Sequence, residues 1–161
     1  MLVLLAILLL CGLLSLAAYL GTGSDERNLR SFGSYPEKVQ ERIRKNPAFD
    51  GMYRESNVFV SLFGNFVVFS VVLFLLGLMV RTESYFVNFL YLFLIGQAGN
   101  IFDLCMIDML WWRSSMRVRI SGTEDMNEEY RDLTPHIHAF LRALVMFTVI
   151  AAVDAALLLL I

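Results

Sequence analysis

Four apolar stretches alternate with polar ones along the chain. The first runs from Met1 to about Leu20 and the second from Val58 to Val80, neither with a charged side chain. The third begins near Tyr85 and ends near Trp112, with polar residues in its second half, and the fourth follows Thr134-Pro135 and reaches Ile161. A helix crosses a bilayer with about 20 apolar residues, so each stretch is long enough. The pattern predicts an all-α membrane protein, a four-helix transmembrane bundle in a single domain. Its helices are expected over about 1–20, 58–80, 85–112 and 135–161, joined by loops 21–57 and 113–134. Ser15-Leu16-Ala17 offers a small-x-small site, but no Lys or Arg precedes the first apolar run, so that run reads as a retained helix and not a signal peptide.

Local signals refine the polar segments. Ser34-Tyr35-Pro36-Glu37 reads as a capping box, and a short helix is expected after it with Val39 and Ile43 on one face. Lys38, Arg42 and Lys45 recur at helical spacing there. That suits either a basic helix lying on an anionic lipid surface or a solvated loop helix. Arg81-Thr82-Glu83-Ser84 is a tight hairpin link. In the last loop Met116, Val118 and Ile120 alternate with Arg117 and Arg119, the pattern of a short strand, and Gly122-Thr123-Glu124-Asp125 reads as a turn. Thr134 as N-cap with Pro135 at the first helical position starts the last helix.

Charge sets the orientation. Arg27, Arg30, Lys38, Arg42, Arg44, Lys45 and Arg54 in the first loop, with Arg113, Arg117, Arg119 and Arg131 in the third, hold eleven of the 13 Lys and Arg residues. Basic residues in short loops favour the cytoplasm. Both loops are therefore expected inside, both termini outside, and Trp111 and Trp112 in the aromatic belt of the inner interface. Hydrophobic residues make up 58% and charged residues 17%, against roughly 45–50% and 25% in soluble domains. A net charge of −2 with no clustered basic face argues against nucleic-acid binding. Cys11 and Cys105 both fall in apolar segments and read as two reduced thiols.

The third helix carries the candidate chemistry. With about 100° per residue and Gln97 at zero, Asn100 falls near 300°, Asp103 near 240° and Asp108 near 20°, with Gly96 inside the same arc. A carboxylate facing hydrocarbon is costly, so this stripe is expected to face a bundle interior or water, and Gly96 lets another helix approach. Asn65 on the second helix and Asp154 on the fourth complete the candidate set, with Asp103 and Asp154 at depths compatible with one site. Three arrangements are open: protonated acids, acids hydrogen-bonded to amides, or a cation-holding or polar pathway. His136 and His138 read as interfacial histidines. No metal-ligand spacing is present, and no cofactor is expected.

Asn100-x-x-Asp103, Ile107-Asp108-x-Leu110-Trp111, Ser115 and Gly122-Thr123-Glu124-Asp125, with Tyr35-Pro36-Glu37 in the first loop, resemble the core signature of an uncharacterised group of small membrane proteins from Gram-positive bacteria. Members are sometimes loosely labelled transporter permeases. The resemblance implies a bacterial plasma membrane and transfers no activity. Gly96-x-x-Gly99-Asn100-x-x-Asp103 is also similar to the first catalytic motif of lipoprotein signal peptidase, which would make Asp103 and Asp154 a catalytic pair. Leu104 stands where that family has arginine, and Ala152-Val153 precedes Asp154 without the family's asparagine and alanine. The leading expectation is a non-enzymatic accessory or permease-like subunit in the lipid bilayer, with a protein partner or second copy docking through the third helix. An intramembrane hydrolase and a purely structural role are the alternatives.

Overall fold

The computed structural model describes residues 1–55 and 57–161. In chain order its helices are α1 (Leu2–Leu20), α2 (Asp25–Arg30), α3 (Glu37–Arg44), α4 (Val58–Leu78), α5 (Tyr85–Phe102) and α6 (Thr134–Leu158). From Asp103 to Trp112, α5 continues without a break as a wider π-helix. Short 3₁₀ turns occupy Phe32–Ser34, Pro47–Phe49, Met116–Val118 and Glu129–Arg131. Four helices, α1, α4, α5 with its extension, and α6, are long and apolar enough to cross a membrane. The protein is thus an all-α, multi-pass bundle.

The antiparallel pair α5–α6 forms its centre, with α1 packed on α5 and α4 on α6. Leu73, Leu92, Ile95, Phe147, Ile150 and Ala151 interlock in the core, joined by Ala6 and Leu10 of α1. The small residue Gly99 lets α1 approach: a Cβ there would lie 2.5 Å from Leu10 Cδ2. Without a hydrophobic force between helices in lipid, such close packing is a main source of association. α4 packs tightly only through its second half, where Leu73, Leu76 and Gly77 are buried. Its first half, Val58 to Asn65, is largely exposed, and a cleft opens between it and α6.

A second apolar core lies outside the spans and forms a cap over the end of the bundle. Leu29, Phe32, Tyr35, Val39 and Ile43 from the first loop meet Val118, Ile120, Met126 and Tyr130 from the third. Buried polar atoms stitch the two loops together. Asn28 Nδ2 donates to the carbonyls of Arg117 (2.9 Å) and Arg119 (3.2 Å), and the Tyr35 hydroxyl donates to Val118 O at 2.8 Å. Arg117 Nη2 donates to Tyr19 O and Thr22 O, and the guanidinium lies 4.0 Å over the Tyr19 ring. It adds a donor to carbonyls at and just past the end of α1, where intrahelical partners run out.

Five local expectations are corrected. α3 does not lay its apolar face on lipid, because Val39 and Ile43 are buried in the cap. Arg42 pairs with Asp125 at 3.3 Å, and Lys38 shares a recess with Glu37, Glu128, Glu129 and Asp132. The capping box is not formed. Pro36 is the N-cap, and Glu37 turns instead to Arg44 at 2.9 Å. Of the apolar positions that alternate at 116–120, Val118 and Ile120 are buried but Met116 is exposed. Met116–Val118 makes a 3₁₀ turn, and among the described residues there is no strand for this segment to pair with. Finally, α6 is started by Asp132, whose Oδ1 accepts from the Thr134 N–H at 2.9 Å, and Thr134 itself is helical. Trp112, expected in the aromatic belt, is buried against the cap, 5.2 Å from the Tyr35 ring.

Candidate functional site

Every polar residue of the third-span stripe meets α6 or the space beside it. Gln97 Nε2 donates to Leu144 O at 2.9 Å and approaches Thr148 Oγ1 at 3.4 Å. One turn further, buried Asn100 donates through Nδ2 to Phe140 O at 3.3 Å. These carbonyls already serve α6's own ladder. The amides use their second lone pairs and thereby fix the antiparallel register.

Beyond Asn100 the helix widens. In a π-helix hydrogen bonds span five residues, so Asp103 and Asp108, five apart, are stacked along one side. An ordinary helical wheel separates them by about 140°. Such widenings are concentrated at functional sites. Asp103, Asp108 and Asn100 line a cavity of about 140 Å³, with Asn65 on the cleft side and Leu14, Phe69, Phe140 and Phe147 as its walls. Among the described residues Asp103 has no hydrogen-bond or ion-pair partner, so its carboxylate addresses the cavity. Among the described residues no Lys or Arg lines it.

At the cap end, His136 Nδ1 meets Asp108 Oδ1 at 2.9 Å, with only 7% of the His136 side chain and 15% of the Asp108 side chain exposed. Trp112 lies edge-on to the imidazole at 5.4 Å between ring centres. His136 Nε2 is buried without a partner among the described residues. Sequence reasoning placed this histidine at a water interface. The signal that could have found the pair was topological: the first turn of α6 must lie beside the last turns of the third span, because the segment between them folds back over that end.

Asp154 belongs elsewhere. It is fully buried against the apolar core, and Ser70 Oγ of α4 donates to its Oδ1 at 2.6 Å. It lies fourteen residues beyond Phe140, the partner of Asn100, which is about 21 Å along α6 at 1.5 Å per residue. The shared depth expected for Asp103 and Asp154 is therefore corrected. At this separation the two acids cannot share a proton or a water molecule, so they do not form a catalytic dyad. Among the described residues no cluster of three or more His, Cys, Asp or Glu side chains is placed to hold a metal ion.

The arrangement can therefore receive a small polar or positively charged group at Asn100, Asp103 and Asp108, with the histidine pair closing its cap end. No family model, curated protein or solved structure matches the chain.

Proposed function

We propose that this chain is a small multi-pass protein of a bacterial plasma membrane, a non-enzymatic accessory or permease-like subunit. Its working site is the acid- and amide-lined cavity beside α5 and α6. The observation that carries the proposal is the cavity itself. Two carboxylates, Asp103 and Asp108, and two amides, Asn65 and Asn100, converge within membrane-spanning segments around a space with no basic residue in its lining. Ionisable groups at such positions are costly to keep and mark ion or solute pathways. A role confined to helix packing would leave Asp103 bonded to a neighbour, as Gln97 and Asn100 are. The solute class that suits this lining is a proton or a small cation. The eleven Lys and Arg residues of the two loops argue for a cytoplasmic cap and external termini.

The test is flux. The purified protein is reconstituted in vesicles holding a pH-sensitive dye, and an ion gradient is imposed. Vesicles with the wild-type protein are expected to dissipate the gradient faster than empty ones, and Asp103→Asn vesicles to behave as empty ones. Equal rates for wild-type and empty vesicles would sink the permease-like reading. A second experiment, activity of a reporter fused at the C-terminus on the cytoplasmic face, would overturn the orientation.

A further inference from the structure

The cleft between α4 and α6 holds a second, chemically different place. Where the first loop meets the start of α4, Arg30, Ser31, Ser34, Ser61 and Arg142 surround a recess of about 420 Å³. Among the described residues no carboxylate lines it. Arg142 is exposed and has no hydrogen-bond or ion-pair partner among the described residues. Arg30 is held by Glu26 at 2.7 Å, an exposed pair one helical turn apart. Such pairs contribute little, so Arg30 is free to turn to a stronger anion. Two guanidiniums and three hydroxyls match the oxygens of a phosphate.

The recess does not end in water. It opens sideways into an apolar groove between the same two helices, walled by Phe63, Phe66, Leu141, Val145 and Val149. Leu62, Arg142 and Met146 line both spaces, so a charged end and an apolar trough form one continuous channel on membrane-spanning segments. A free phosphate would use only its polar end. We propose that this cleft binds an anionic phospholipid, with its phosphate between Arg30 and Arg142 and its acyl chains along the groove. The basic residues that sequence periodicity singled out for lipid, Lys38 and Arg42 on α3 and Lys45 at its C-cap, do not line it.

The experiment titrates the detergent-extracted protein with phosphatidylglycerol or phosphatidylcholine of identical chains and follows retained lipid by native mass spectrometry. Phosphatidylglycerol is expected to bind at least about tenfold more tightly, consistent with roughly fivefold per arginine. The double variant Arg30→Gln, Arg142→Gln is expected to lose this preference, while Lys38→Gln with Lys45→Gln keeps it. Val145→Trp, which fills the groove and leaves both arginines in place, is expected to weaken both lipids. Equal retention of the two lipids by the wild type, retained preference in the double arginine variant, or loss of preference in the lysine variant instead would overturn the proposal. So would displacement of the lipid by an equal concentration of inorganic phosphate. The wild-type comparison and the Val145→Trp arm decide the matter even if the arginine variant fails to fold.

Discussion

His136 Nδ1 and Asp108 Oδ1 sit 2.9 Å apart, joining the first turn of α6 to the widened end of the third span. Since the other imidazole nitrogen is buried and has no partner among the described residues, this contact is what holds the ring in place. Asp108→Ala is expected to strand a buried imidazole and to lower stability by about 1–3 kcal/mol. Asp108→Asn, whose amide oxygen can still accept from Nδ1, should cost less. Thermal unfolding in one detergent would rank the two. Equal losses would mean that the pairing geometry contributes nothing beyond the shape of the side chain.

The α1–α5 contact gives a packing prediction. Gly99 faces Leu10, and a Cβ at Gly99 would come within 2.5 Å of Leu10 Cδ2 and 3.1 Å of its Cγ. Leu10 is buried and cannot swing out freely. Gly99→Ala is expected to cost about 1–3 kcal/mol through overpacking. Adding Leu10→Ala should recover part of that loss, so the double-mutant cycle should show a coupling of about 0.5–3 kcal/mol. Additive losses in the cycle would show that α1 does not rest on this residue pair.

The four spans were legible because length and unbroken apolarity are local properties. The stripe from Gln97 to Asp103 was legible because α-helical periodicity holds as far as Phe102. Beyond that point the wheel fails: the chain widens from Asp103 onward, and Asp108 moves beside Asp103. Nothing in the local composition announces that change. The place of Asp154 was not legible either, since it depends on the register between α5 and α6, which the Gln97 and Asn100 contacts to Leu144 and Phe140 set. The cap was half visible. Val39 and Ile43 do share a helix face, but their partners are Val118, Ile120 and Tyr130, some eighty residues away, and a distant protein partner competes with lipid on equal terms in a periodicity argument.

The α4–α5 link turns on one buried amide. Asn88 accepts from the Thr82 N–H at 2.7 Å and from the Thr82 hydroxyl at 2.9 Å, and donates back to Thr82 O at 2.9 Å. Asn88→Ala leaves those groups unpaired in a nearly enclosed place and is expected to cost about 1–3 kcal/mol. Asn88→Asp keeps both acceptor contacts and loses only the donated one, so it should fall between wild type and alanine. Hydrogen exchange at residues 80–84 reads this directly. Unchanged protection in the alanine variant would show that the link is held by its backbone alone.

The cap carries an alkaline limit. The Tyr35 hydroxyl donates to Val118 O at 2.8 Å, and burial, with Tyr130 and Asp25 adding to it, pushes its ionisation well above the usual phenol range. An unfolded tyrosine ionises near pH ~10. Below that pH both states hold the proton and Tyr35 adds its full stabilisation. Above it the unfolded chain releases a proton that the folded cap retains, so stability falls as pH rises further. The cap is therefore expected to loosen above about pH 10, seen as loss of near-ultraviolet circular dichroism from Tyr35, Tyr130 and Trp112 while the far-ultraviolet helix signal of the spans persists. Tyr35→Phe removes the hydrogen bond and should lower stability at neutral pH by about 1 kcal/mol. It also removes the ionisable group, so its stability should fall less steeply with pH than that of the wild type. Parallel alkaline profiles for the two proteins would show that Tyr35 does not set the limit.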